Sequence, residues 1–147
     1  TVENLKEGKY VVELRKIATE DTFYEPQIFE IEISKNTSAR IDIEIGPEKI
    51  LNGTILYYTS ATNVDRGKGL LTITSSGQDA KVYIDKEYTG STPITNLELP
   101  DNQYQVKVSA LGYEDVEIPV FVRDGYLLNL KTYHFPIPVN FDTVEEQ

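Results

Sequence analysis

Apolar and polar side chains alternate along most of this chain with a period of two. The clearest run is 39–45, where the odd-numbered positions are apolar and the even-numbered ones are Arg40, Asp42 and Glu44. The same alternation marks residues 10–14, 28–33, 104–108, 116–122 and 126–130. No window shows sustained periodicity of 3.6 residues, which an amphipathic helix would require. The sequence therefore predicts an all-β fold, whose strands bury one face and expose the other.

One stretch, from Ala80 to Pro93, combines strand and turn signals most densely. Apolar residues at even positions from Ala80 alternate with polar or aromatic residues at odd positions as far as Asp85, which predicts a half-buried strand. Gly90 then supplies a turn, and Thr92 is pushed toward extended geometry by the proline that follows it. Because proline removes a hydrogen-bond donor, we expect the chain to rejoin a sheet only at an edge.

This stretch resembles the PEGA domain, a small β-sandwich module of microbial surface and envelope proteins. The family pattern runs from a small residue through V-Y-(I/V)-D and a short turn to G-x-T-P, and a Gly-Tyr pair recurs further along. The chain matches this pattern at Ala80, Val82, Tyr83, Asp85, Gly90, Thr92, Pro93, Gly112 and Tyr113. It departs at 78–80, where Gln-Asp-Ala stands in place of the family's Pro-Glu-Gly-Ala. The resemblance implies a structural role for these residues and a location outside the cell or in the cell envelope.

The second half of the chain repeats the strand plan of the first half, with turns and alternating strands in the same order. We therefore predict two tandem small β-sandwich domains, of which the first is a partial repeat that is transthyretin-like or PEGA-like. The predicted boundaries are a partial or atypical sandwich at 1–62, a linker at 63–68, a PEGA-like domain at 69–135 and an extended tail at 136–147.

The first domain lacks the front half of the repeat, so its sheet needs a further strand. The apolar run at 54–59 is one source of that strand. A segment of another chain is the alternative, because an exposed sheet edge accepts an added strand. The proline-broken tail at 136–147 is expected either to pack on its own domain or to be offered to a neighbouring chain.

The charge of the chain argues against several classes of partner. Its 24 acidic residues against 14 Lys and Arg give a net charge of −10, so it should repel phosphate backbones. It has no cysteine, which excludes disulfides and thiolate metal sites. No window holds the roughly 20 apolar residues of a membrane-spanning helix. We expect no nucleic acid, no direct membrane insertion, no cofactor and no metal.

No residue pattern points to catalysis. His134 has no serine or carboxylate at a recognisable triad spacing. The adjacent acids at 20–21 and 114–115 would point to opposite faces of an extended strand, whereas a glycosidase needs two carboxylates that face each other. There is no Asp-x-Asp-x-Asp-Gly loop for calcium, and the nine glycines are dispersed among turns. The sequence therefore predicts that the chain is not an enzyme.

Tyrosine is the residue type that most favours a binding surface. The chain has ten tyrosines and no tryptophan. The tyrosines predicted to be exposed are Tyr83 and Tyr133, together with Tyr57 or Tyr58, and such rings stack on sugars or contact proteins.

These patterns predict a non-catalytic spacer, display or assembly domain of a larger surface or envelope protein. Its partners would be other envelope proteins or the flanking domains of its own chain. Two alternatives stay open: a glycan or cell-wall-binding module that uses the exposed tyrosines, and a subunit that polymerises by β-strand addition. Two sequons, at Asn36 and Asn52, fit a glycosylated extracellular surface.

Overall fold

The computed structural model describes residues 2–17, 24–77 and 79–138, and within them it contains strands and turns but no helix. The strands are β1 (Gly8–Leu14), β2 (Gln27–Ile33), β3 (Arg40–Ile45), β4 (Ile50–Ser60), β5 (Lys68–Ser75), β6 (Lys81–Ile84), β7 (Glu87–Ser91), β8 (Ile94–Pro100), β9 (Asn102–Ser109), β10 (Val116–Val122) and β11 (Tyr126–Tyr133). They form a hairpin of β1 and β2, a four-stranded sheet in the order β10-β9-β6-β7, and a five-stranded sheet in the order β3-β4-β11-β5-β8. The predicted all-β fold class is confirmed.

The four-stranded and five-stranded sheets pack face to face. Val82, Val106 and Leu71 are completely buried between them, and every second residue of each inner strand points into this core. Among the described strands β8 pairs only with β5 and so lies at the edge of the sheet, as expected for the segment that follows Pro93. The sandwich core is therefore built mainly from the second half of the chain.

β4 joins the first half of the chain to this sandwich. It pairs antiparallel with β3 on one side and, over eight residue pairs, with β11 on the other. The run 54–59 thus lies beside β3, one of the two arrangements that the sequence left open. The five-stranded sheet continues across the predicted linker at 63–68, and the division of the chain into two domains stays a prediction.

Tyr58 anchors β4 in the sandwich. Its side chain is only 8% exposed and lies on the inner face beside its cross-strand partner Leu128. Its hydroxyl donates to the backbone oxygen of Phe121 at 2.6 Å, and its ring meets that of Tyr126 edge-on at 6.3 Å. The Arg123 guanidinium lies 5.7 Å from the ring centre of Tyr58 and 4.8 Å from that of Tyr126. One residue of β4 therefore bridges the two sheets.

The β1-β2 hairpin lies against the outer face of β4. Ile31 of β2 and Ile55 of β4 are both buried, at 7% and 1% exposure, although neither belongs to the sandwich core. Ser34, just after β2, donates its hydroxyl proton to the backbone oxygen of Tyr58 at 2.9 Å. The hairpin thus forms a third layer over the end of the five-stranded sheet.

The turn that follows β2 is tied to the β10-β11 turn of the sandwich. Tyr126 donates its hydroxyl proton to the backbone oxygen of Lys35 at 2.7 Å, and Arg123 donates from Nη1 to the backbone oxygen of Asn36 at 2.6 Å. Both donors belong to the second half of the chain and both acceptors to the first. The two halves are therefore joined by side chains as well as by the β4-β11 ladder.

The described part of the tail, 136–138, packs on its own chain. The backbone N–H of Ile137 donates to the oxygen of Gly112 at 2.9 Å, and that of Glu114 donates to the oxygen of Phe135 at 2.8 Å. Pro136 forms an isolated bridge with Tyr113. Residues 139–147 lie outside the described part of the chain.

Candidate binding face

A row of four side chains crosses the outer face of the four-stranded sheet. It runs from Glu117 on β10 through Lys107 on β9 and Tyr83 on β6 to Tyr88 on β7, and each residue is the direct cross-strand partner of the next. Directly opposed residues on one face have Cβ atoms about 5 Å apart. The four side chains therefore form one continuous strip, which we call the outer strip.

The two tyrosines of the outer strip contact each other and a lysine. Their ring centres are 5.7 Å apart with the planes at 60°. Lys107 Nζ lies 5.3 Å from the ring centre of Tyr83 and 3.7 Å from the carboxylate of Asp115. Tyr88 is 56% exposed, so its ring is open to solvent. The strip thus presents aromatic surface held in place by neighbouring side chains.

The turn between β6 and β7 fixes the edge of this face. Its two central residues, Asp85 and Lys86, have φ values of 49° and 70°, as a two-residue type I′ hairpin requires. The Asp85 N–H donates to the backbone oxygen of Gln105, and the Gln105 N–H donates to Asp85 Oδ1, each at 2.8 Å. These paired hydrogen bonds clamp the hairpin onto β9, which gives the motif aspartate its structural role.

A shallow cavity of about 480 Å³ lies between β10 and the inner face of β3 and β4, and the outer strip has a second cavity that shares Glu117 with it. That cavity is about 400 Å³ and is lined by Tyr83, Lys86, Gln105, Lys107 and Glu117. Its walls offer one aromatic ring, two ammonium groups, one amide and one carboxylate. Phe121, which is 58% exposed, faces the same way further along β10.

The tyrosines that the sequence proposed for binding do not come together. Tyr57 and Tyr133 lie on the outer face of the five-stranded sheet, across the sandwich from Tyr83. The proposed exposure of Tyr58 was wrong. Its side chain points into the core beside Leu128, its cross-strand partner on β11. The sequence identified Tyr83, but it missed Tyr88, Phe121 and the polar lining of the cavity.

Burial raises the pKa of four tyrosines above the ordinary value of 10.0, namely Tyr57, Tyr58, Tyr104 and Tyr133. The folded chain therefore holds these phenolic protons more tightly than the unfolded chain. The resulting stabilisation is complete below pH 10 and is lost as the pH rises through the raised pKa values.

We expect the urea concentration at the midpoint of unfolding to fall as the pH rises above 10. It should fall less in Tyr58→Phe, because that variant lacks one of the four phenolic protons. A midpoint independent of pH in this range would contradict the expectation.

The motif residues Ala80 and Thr92 form a buried clasp between the start of β6 and the end of β7. The Thr92 N–H donates to the oxygen of Ala80 at 2.8 Å, and the Ala80 N–H donates to Thr92 Oγ1 at 3.1 Å. Ala80 is fully buried and Thr92 is 8% exposed. A small residue and a hydroxyl are therefore needed at these two positions.

Substitution Thr92→Val is expected to lower the free energy of unfolding by about 1–3 kcal/mol. Valine keeps the shape of threonine but leaves the buried Ala80 N–H without an acceptor. Thr92→Ser keeps the hydroxyl and should lose less. Urea unfolding of both variants measures the difference, and equal losses would show that the methyl group matters rather than the hydrogen bond.

The other motif residues also lie in turns or strand ends. The prediction that Gly90 supplies the turn was wrong: Gly90 lies within β7 opposite Val82, beside an irregularity in the ladder, and Asp85 and Lys86 form the turn. Pro93 directly precedes β8. Gly112, with φ of 83°, and Tyr113 form the β9-β10 turn on which the tail packs.

His134 is buried, and backbone and hydroxyl partners satisfy its ring. Its Nδ1 lies 2.8 Å from the backbone oxygen of Glu114, and its Nε2 lies 2.9 Å from Thr132 Oγ1. The acid pair at 20–21 lies outside the described residues, while Asp115 pairs with Lys107. Within the described segments, no cluster of three His, Asp or Glu side chains has the geometry to hold a metal ion.

The two sequons lie in different settings, and their glycosylation stays a prediction. Asn36 is exposed at a turn, with φ of 58°. Asn52 lies in β4, where its Nδ2 donates to Glu44 Oε2 at 3.1 Å, and Thr54 of the same sequon is only 6% exposed. Asn36 is therefore the more accessible acceptor.

Residues 68–133 match the PEGA domain family. The matched segment comprises β5 to β11, which is the whole four-stranded sheet and three strands of the five-stranded one. No curated protein and no solved structure matches the chain.

No helix in the described segments has the length and hydropathy needed to cross a bilayer. PEGA domains are non-catalytic modules that generally occur in extracellular, periplasmic or surface-associated proteins. The resemblance of this chain to the PEGA domain is thus confirmed for residues 68–133.

Proposed function

We propose that this chain is a non-catalytic module of a cell-surface or envelope protein and that it acts as a stiff spacer. The observation that carries the proposal is the eight-pair ladder between β4 and β11. A spacer holds its flanking parts at a fixed separation, which a flexible linker between two domains would not do. Here the segment around 63–68 is a turn within one sheet, because the strands on both sides of it belong to that sheet.

Bending between the two halves of the chain would cost several interactions at once. It would open the β4-β11 ladder, withdraw Tyr58 from the core and break the hydrogen bonds that Arg123 and Tyr126 donate to the turn after β2. Exposing the buried ring of Tyr58 and losing the ladder hydrogen bonds would together be costly. We infer that β3 to β11 move as one body.

The β4 pairing also weakens the case for polymerisation by strand addition. β3 already has a strand on the side where the sequence allowed a donor from another chain. Along β3 the charged side chains Arg40, Asp42 and Glu44 alternate with isoleucines, and the ladder has a bulge at Glu44/Ile45. Charged side chains and bulges are devices that keep sheet edges from pairing with other chains.

Residual dipolar couplings of the weakly aligned chain test the spacer proposal. Couplings from β3-β4 and from β5-β11 should fit one common alignment tensor. Two tensors of different magnitude would show that the halves reorient independently and would defeat the proposal.

The proposed location at the cell surface has its own test. An antibody raised against the chain should label intact cells of the source organism, and labelling only after lysis would argue against a surface position.

A further inference from the structure

The outer face of the four-stranded sheet carries aromatic surface that does not contribute to the sandwich core. The core uses the inward residues of the same strands, such as Val82 and Val106, which are fully buried. Tyr88 and Phe121 instead remain 56% and 58% exposed. Exposed aromatic rings beside a cavity with convergent polar groups are typical of ligand sites.

The polar groups of the cavity are available for a ligand. Among the described residues, the side chains of Lys86, Gln105 and Glu117 form no hydrogen bond or ion pair with the protein. Lys107 is held by Asp115 and by the ring of Tyr83. The cavity therefore offers donors from the ammonium groups, an acceptor from the carboxylate, and both from the amide.

This combination of groups matches an uncharged sugar. A sugar hydroxyl donates and accepts hydrogen bonds, so it can use ammonium, amide and carboxylate partners together, and the C–H face of a sugar ring can stack on tyrosine. Once Asp115 is counted, the two ammonium groups of Lys86 and Lys107 are balanced by two carboxylates, which disfavours a strongly charged ligand. We propose that the outer strip and its cavity bind a neutral polysaccharide.

The site is both preformed and long enough for several sugar units. The clamped Asp85-Lys86 turn and the ring contact between Tyr83 and Tyr88 are present without a ligand, which lowers the entropy cost of binding. From β7 to β10 the strip crosses three strand spacings, or about 14 Å. Phe121 extends the aromatic surface further along β10. The geometry thus suits an extended oligosaccharide rather than a single sugar.

Titration of the chain with cellotetraose, mannotetraose and tetra-N-acetylchitotetraose tests the proposal. Amide chemical shifts followed by NMR should change on β6, β7, β9 and β10 with at least one of these probes. Substitution Tyr88→Ala should weaken the binding, measured by calorimetry, at least tenfold, because it removes an exposed stacking surface. Glu117→Gln should weaken binding less, since it keeps the shape and one acceptor oxygen.

Leu111→Ala is the matched control, because Leu111 is fully exposed in the β9-β10 turn and lies outside the strip. It should bind like the unmodified chain. Tyr88→Ala should stay folded, with amide shifts that differ from the unmodified chain mainly around Tyr83, the residue that its ring contacts. The proposal is overturned if none of the three probes binds, if the shifts lie on the five-stranded sheet, or if Tyr88→Ala binds as tightly as Leu111→Ala. None of these outcomes bears on the alignment tensor that tests the spacer function.

Discussion

Substitution Gly53→Ala is expected to detach β3 from β4 and to lower the free energy of unfolding by about 3 kcal/mol or more. Gly53 has φ of 123°, a region that residues with a side chain rarely adopt. A Cβ atom there would lie 2.1 Å from the backbone oxygen of Asp42 and 2.6 Å from Cα of Ile43. Both atoms belong to the backbone of β3, so no side-chain rotation relieves the overlap and the strand itself must move.

Urea unfolding followed by circular dichroism measures this loss, and amide exchange locates it. Exchange should quicken in β3 and in the adjoining part of β4. Gly125→Ala is the control, because Gly125 also has a positive φ, of 79°, but a Cβ there would meet no atom of the described residues within 4 Å. That variant should lose about 1 kcal/mol, the cost of the backbone conformation alone. Equal losses in the two variants would mean that close approach of β3 is not the cause.

Most strands could be read from the sequence because one face of each is less exposed than the other. Alternation at 39–45 and 116–122 predicted β3 and β10, and the resemblance at 80–93 led to the segment that matches the PEGA family. Such alternation reports which side chains face inward, and it says little about which strand lies beside which. The pairing of β4 with β11 joins residues that are far apart in sequence, so no local sequence pattern could predict it.

The candidate site was harder to predict for the same reason. Tyr57 and Tyr58 are adjacent in an apolar strand, and only the pairing of Tyr58 with Leu128 decides which ring enters the core. Tyr88 lies in a strand that follows a tight turn and lacks a clear alternating pattern, and its ring joins the site only through the register with Tyr83. The exposure of Phe121 could have been predicted from the sequence. It lies between two valines, Val120 and Val122, that alternate with it and face inward.

Substitution Tyr58→Ala is expected to lower the free energy of unfolding by about 3–5 kcal/mol, as for other buried aromatic residues. It removes a ring that packs on Tyr126 and lies under the Arg123 guanidinium, and it leaves the backbone oxygen of Phe121 without its hydroxyl donor. Because the ring belongs to β4 but fills the core of the second half, the loss should reach both halves. Urea unfolding measures the total, and amide exchange on β4 and β10 measures its spread.

Two variants separate the contributions of Tyr58. Tyr58→Phe keeps the ring and removes only the hydrogen bond to Phe121, so it should cost about 1 kcal/mol. Tyr57→Ala removes the neighbouring tyrosine from the outer face of the same strand, where it is half-buried, and should cost clearly less than Tyr58→Ala. If Tyr58→Ala instead quickened exchange in β3 and β4 alone, the two halves would unfold separately, and the stiff coupling inferred from the β4-β11 ladder would be wrong. Faster exchange on β10 as well as on β4 would show that the first half of the chain stabilises the second.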